Sequence, residues 1–140
     1  MPLELQSLSK AVDALGRALA KSDDADFMRA LDEDAQRVFK SGVIQHFEFT
    51  YELCWKFMKR WLETNIGPAI ADGVTRRELF RLAAENQLVL DVDEWMHHHD
   101  ARNETSHAYD PTIAEQVYVA AHEFVRDAAS LLKALESRND

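Results

Sequence analysis

Arg102, His107 and Tyr109 lie within eight residues of one another, in the run Ala-Arg-Asn-Glu-Thr-Ser-His-Ala-Tyr-Asp-Pro over positions 101–111. Arginine is a permanent cation whose planar fork matches a phosphate group. Histidine titrates nearest neutrality, so it can give or take a proton. Tyr109 adds a phenolic hydroxyl close behind. Such a set can bind a phosphodiester and move its proton. On an unbroken helix, positions five apart diverge by about 140°. Arg102 and His107 therefore converge only if the helix stops near Ser106 or if a second chain pairs across the stretch. Otherwise Arg102 pairs with an acid such as Glu94 and His107 caps a helix end. Spacing alone leaves both readings open.

Just upstream, His97-His98-His99 invites a metal reading. Consecutive helical side chains diverge by about 100°, and helical zinc ligands use spacings such as i,i+4. The triplet is therefore not expected to hold a metal. His97 reads as polar helix surface. His98 and His99 are one turn from Arg102, so they are candidates to line the same cleft, with Asn103 and Ser106 beside them. The densest positive cluster is Arg76, Arg77 and Arg81. It is either a solvated helix face or a contact for phosphate or a partner.

These residues must be carried by helices. Glycine (4) and proline (3) are scarce, which favours a few long helices over many short strands. Leu5, Leu8, Val12, Leu15 and Leu19 recur every three or four positions and predict a first helix over Pro2 to Lys21. A second, the longest, starts between Asp24 and Asp34 and runs to about Asn65. Its seam is Ile44, Phe47, Tyr51, Cys54, Met58 and Leu62, with Phe49, Leu53 and Phe57 roughly opposite. That apolar arc spans roughly 200°, against about 100° for a single core face. The helix is therefore either central to one bundle or shared between its own core and a dimer interface. Glu52 and Lys56 form a favourable i,i+4 pair.

Gly67-Pro68 ends the long helix. Thr75 with Glu78 has the form of a capping box for a third helix to about Gln87. Leu88-Val89-Leu90 reads as a packed helix end or loop. Asp91 or Asp93 caps a short polar helix over Glu94 to Ser106. Asp110-Pro111 is a strong start for the last helix, which runs to about Glu136. The expected architecture is all-α: an antiparallel up-and-down four-helix bundle with an extra short helix, one domain over residues 1–140.

Hydrophobic residues make up 46% of the 140 and charged residues 29%, ordinary for a globular chain that can bury a real core. The formal charge is −9 and the pI about 5.1. An acidic chain repels nucleic acid and anionic membrane at long range. Any role on RNA must rest on a local basic patch or a basic partner. The single cysteine, Cys54, excludes an internal disulfide and a cysteine-based zinc cluster. There is no apolar run long enough to span a membrane and no signal-peptide pattern. A cytoplasmic protein with no membrane contact is expected.

The spacing Arg-x-x-x-x-His-x-Tyr over 102–109 resembles the signature of the HEPN superfamily. The run Arg-Asn-Glu-Thr-Ser-His-Ala-Tyr-Asp, together with Phe-Glu-Phe-Thr-Tyr-Glu-Leu-Cys-Trp-Lys-Phe over 47–57, is similar to its HepT-type toxins and the related nucleotidyltransferase substrate-binding proteins. The resemblance implies a homodimeric helical bundle partnered by a small nucleotidyltransferase, and no cofactor. It implies either a metal-independent endoribonuclease toxin or a non-catalytic subunit that binds nucleotide or another substrate. In the first case Arg102 clamps the RNA phosphate and His107 is the general acid or base. Tyr109 is then the residue adenylylated by the partner, or a nucleotide ligand. Glu48 and Glu52 fall in the second motif; helix-surface or inter-helix pairing is expected of them rather than chemistry.

Overall fold

The computed structural model describes residues 2–139. Six α-helices and one 3-10 turn make up its regular structure: α1 (Gln6–Ser22), α2 (Ala25–Arg29), α3 (Glu33–Asn65), α4 (Arg76–Glu85), α5 (Val92–Glu104), the turn Thr105–His107, and α6 (Pro111–Ser137). Among the described residues there is no strand.

Contacts at the helix ends fix the topology. Lys40 on α3 meets Glu115 on α6 at 3.2 Å, near both starts. Trp61 Nε1 donates to the carbonyl of Arg138 at 3.5 Å, near both ends. α3 and α6 therefore run the same way. α1 runs against them: Leu3 and Asn139 exchange two hydrogen bonds at 2.6 and 2.9 Å, and Tyr118 on α6 donates to Ser22 at 2.7 Å. α5 also opposes α3: Tyr51 meets His99, while Glu48, earlier on α3, faces Arg102, later on α5. The result is an antiparallel up-and-down bundle of α1, α3, α5 and α6, with α4 packed between α3 and α5.

The helix ends are set by side chains that take up free backbone N–H groups. Asp32 caps α3, Thr75 caps α4, Asp91 caps α5 and Asp110 caps α6. Thr75 accepts the Glu78 N–H at 3.2 Å. The Glu78 carboxylate goes to Arg81 at 3.6 Å, so α4 has half of the expected capping box.

Three boundaries differ from expectation. α1 starts at Gln6, because Asn139 occupies both backbone groups of Leu3. The ambiguous start of the long helix is two helices. Asp24 caps the short α2 by accepting from Asp26 and Phe27, and Asp32 opens α3. Gln36 ties the two together through the carbonyls of Met28 and Leu31. α5 stops at Glu104, earlier than Ser106.

The core is aromatic at the level of the motif. The Phe124 ring on α6 lies 5.0 Å from Phe47, 6.0 Å from Trp95 and 5.2 Å from His98, centroid to centroid. Cys54 is buried and free, and burial pushes its thiol pKa well up. Among the described residues, no helix is long and apolar enough to cross a membrane.

Candidate functional site

α3 and α5 together build the surroundings of Arg102. Its Nε lies 3.2 Å from Glu52 Oε1, an ion pair in which the N–H is not aimed at the oxygen. One terminal nitrogen lies 3.8 Å from Glu48 and donates to Thr105 Oγ1 at 3.0 Å. Thr105 in turn donates to the backbone carbonyl of Arg102 at 2.7 Å. The acids facing Arg102 are thus the two motif glutamates of α3, not Glu94. Glu52 is shared with a second group, because its other oxygen accepts the indole N–H of Trp55 at 2.9 Å. Arg102 is half-buried, pinned from three sides.

His99 stands beside this cluster. The Tyr51 hydroxyl and its Nδ1 share a hydrogen bond at 2.8 Å, and the Asn103 amide approaches its other ring nitrogen at 3.4 Å. Burial, and then the positive charge of Arg76, hold the His99 pKa below its usual value; Asp100 and Glu52 pull the other way. Burial also raises the Tyr51 pKa far enough to keep it a neutral phenol, against the pull of Arg76. Ser106 is exposed and donates to the carbonyl of Asn103 at 3.1 Å.

His98 goes elsewhere. It is 2% exposed, and its Nε2 donates to Asp127 on α6 at 2.6 Å. Its ring packs edge-on against Trp95 and Phe124. His98 is therefore a core residue and does not share the surroundings of Arg102. Its immediate neighbours in sequence point away, as the helical rotation requires. Among the described residues, no three His, Cys, Asp or Glu side chains gather as a metal ion would need.

His107 closes the 3-10 turn that follows α5. Its side chain is exposed, with its ring 6.2 Å from that of Tyr109 at an interplanar angle of 70°. Tyr109 is 85% exposed and borders a groove of about 580 Å³ between the starts of α3 and α6, with Val38, Lys40, Ile44 and Pro111. No hydrogen bond or ion pair joins Arg102 to His107 within the chain. The 3-10 turn breaks the helical path between them.

Sequence reasoning placed Tyr51 on the core seam of the long helix, where it is buried, and gave no role to Trp55 or Asp127. Trp55 sits inside the run 47–57, which was the available signal. Asp127 is 29 residues from His98 and carried none.

Against known proteins, residues 3–137 match the family model described as nucleotidyltransferase substrate binding protein like. The chain is 32% identical, over 138 residues, to a protein of Haemophilus influenzae named probable ribonuclease HepT; the match covers 98% of this chain and 94% of that one. Among solved structures it is similar to a Haemophilus influenzae protein described as having the fold of a substrate binding domain of a nucleotidyltransferase. That likeness has a TM-score of 0.91 and 30% identity, covering 95% of this chain and 99% of the other. A Thermus thermophilus structure shares the fold at a TM-score of 0.72 and 23% identity, covering 91% and 98%.

Proposed function

Because this chain belongs to the nucleotidyltransferase substrate-binding-protein-like family, we propose that it is a HepT-like endoribonuclease. In this reading it is cytoplasmic, acts as a homodimer without metal, and is controlled by a small nucleotidyltransferase. The observation that carries the reading is the held geometry of Arg102. Glu52 and Thr105 fix the guanidinium at the end of α5, and the next turn presents His107 and Tyr109 to solvent. Arg102 binds the phosphate and stabilises the charge that develops on it. The 2′-oxygen of the ribose attacks phosphorus and the bond to the 5′-oxygen breaks. His107 takes the proton from the 2′-hydroxyl or supplies one to the leaving oxygen, and water exchanges the other proton. Because the two groups are not joined within one chain, a second protomer completes the pair. The half-exposed Phe49 and Leu53 on the outer side of α3 suit a surface that such a protomer covers. Tyr109 stands free enough to accept an adenylyl group from the partner enzyme.

The test is cleavage of RNA by the purified protein in the presence of a chelator. His107→Ala is expected to lose cleavage while keeping its fold and its dimer. A His107→Ala protein as active as the parent refutes the assignment. Light scattering that finds only monomer at micromolar concentration refutes the shared site.

A second reading has an observation of its own. The net charge of −9 doubles in a dimer and opposes free RNA. It favours a non-catalytic subunit that presents a nucleotide or other substrate to the nucleotidyltransferase. Calorimetry with nucleotides, with and without the partner, separates the two: this reading requires binding without cleavage.

A further inference from the structure

Of the three clustered arginines on α4, two are neutralised. Arg77 pairs with Asp93 at 3.3 Å and Arg81 with Glu78 at 3.6 Å. Arg76 has no carboxylate within ion-pairing distance among the described residues. Its guanidinium carbon lies over the indole of Trp55, 3.6 Å from the ring centroid, and its Nε is buried with no acceptor. Trp55 is itself fixed by Glu52. Beside Arg76 opens a cleft of about 240 Å³ bordered by Trp55, Lys59, Gly73 and Thr75. Lys59 also has no carboxylate partner among the described residues. Gly73 has φ +68 and only open space where a Cβ would stand, so the backbone turns here without filling the cleft. Two unpaired cations thus face one small polar hollow in a chain of net charge −9.

We propose that this cleft between α3 and the start of α4 is a phosphate-binding site, with Arg76 as its fork and Lys59 as its second cation. Stacking on Trp55 holds the Arg76 guanidinium in one orientation, so little side-chain freedom is lost when its N–H groups engage an anion. Lys59 supplies a point charge from the next turn of α3. At about 240 Å³ the hollow has room for a phosphate group between the two cations. The site goes beyond the proposed cleavage reaction and needs neither Arg102 nor His107. Arg76 nevertheless acts electrostatically on Tyr51 and His99, so an anion here would be felt by the neighbours of Arg102.

The test is calorimetric titration of the full-length protein with pyrophosphate, AMP, ATP and a short ribo-oligonucleotide. At least one of these is expected to bind, and more weakly as salt rises. Arg76→Ala should weaken that binding about tenfold or more, the usual worth of a charged hydrogen bond. Lys59→Ala should weaken it several-fold, and it serves as the check should Arg76→Ala disturb Trp55. ATP or pyrophosphate binding that is lost in the cleft variants assigns the site to a nucleotide tail; oligonucleotide binding that is lost in them assigns it to an RNA backbone. If none of the probes binds, or if both cleft variants bind like the parent, the proposal is overturned. Loss of binding in Arg102→Ala but not in the cleft variants overturns it too, and places the phosphate at the proposed cleavage site.

Discussion

Glu52 Oε1 stands 3.2 Å from Arg102 Nε, while Glu52 Oε2 accepts the indole N–H of Trp55. One carboxylate therefore couples the motif arginine of α5 to the aromatic support of Arg76 on α4. It positions Arg102 and at the same time offsets its charge. These two effects act in opposite directions on an anionic substrate. Glu52→Gln keeps a hydrogen-bonding side chain but removes the charge. RNA should then bind more tightly, because Arg102 is less neutralised, and turn over more slowly, because it is less well placed. Both kcat and KM should fall. The pair is half-exposed, so thermal stability should change by no more than about 1 kcal/mol. A rise in kcat would show that Glu52 only restrains the site.

Thr105 both accepts from the Arg102 guanidinium and donates to the Arg102 carbonyl. Thr105→Val preserves shape and removes both bonds. The expected cost is about 1 kcal/mol of stability per bond lost. Cleavage should drop roughly tenfold to a hundredfold, since small misplacements of a positioned group are costly in the transition state. Turnover at saturating RNA and thermal melting measure the two effects separately. Unchanged turnover in a destabilised protein would confine Thr105 to folding.

Much of the fold was legible. The seam of α3 and the Asp110-Pro111 start of α6 follow directly from periodicity and capping chemistry, and the structure has both. Much of the wide apolar arc of α3 packs against α1, α4, α5 and α6, and Phe49 and Leu53 remain on its open side. What could not be read were choices made by distant parts of the chain. Asp24 and Asp32 are equally good caps, and the structure uses both, with Gln36 tying the two helices together. The partners of Arg102 were within reach, because Glu48 and Glu52 lie in the second motif; spacing along α5 pointed instead to Glu94. The histidine triplet gave no hint of its division. One ring enters the core because Asp127 waits on α6, and the next turns to Tyr51.

His99 supplies a pH dependence. Its folded pKa lies below the ordinary value of 6.5, chiefly through burial. Between the depressed value and 6.5 the unfolded chain binds more protons than the folded one. Stability therefore rises with pH across that window and is lost as pH falls through it. Melting temperature followed from pH 8 to pH 5 should decline, and His99→Gln should flatten part of the decline. Tyr51→Phe removes the hydrogen bond to the ring without relieving its burial, so the decline should persist. If His99→Gln leaves the profile unchanged, some other group controls it.

The His98–Asp127 pair tests how the core tolerates polarity. His98 Nε2 lies 2.6 Å from the Asp127 carboxylate, with Trp95 and Phe124 packed on the imidazole. Asp127→Ala leaves a buried N–H without an acceptor, a desolvation cost of about 1–3 kcal/mol. His98→Leu replaces the ring with an apolar group of smaller shape and leaves Asp127, which can still reach water. Combining the two removes both polar partners, and such replacements approach neutrality when the packing is kept. The double variant should therefore be more stable than Asp127→Ala alone, and the double-mutant cycle should give a coupling of about 1 kcal/mol or more. Because the pair stands apart from Arg102, all three variants should keep the parent's RNA cleavage at temperatures where they remain folded. Additive losses of stability would show that the hydrogen bond contributes nothing, and a loss of cleavage in folded protein would tie His98 to the site after all.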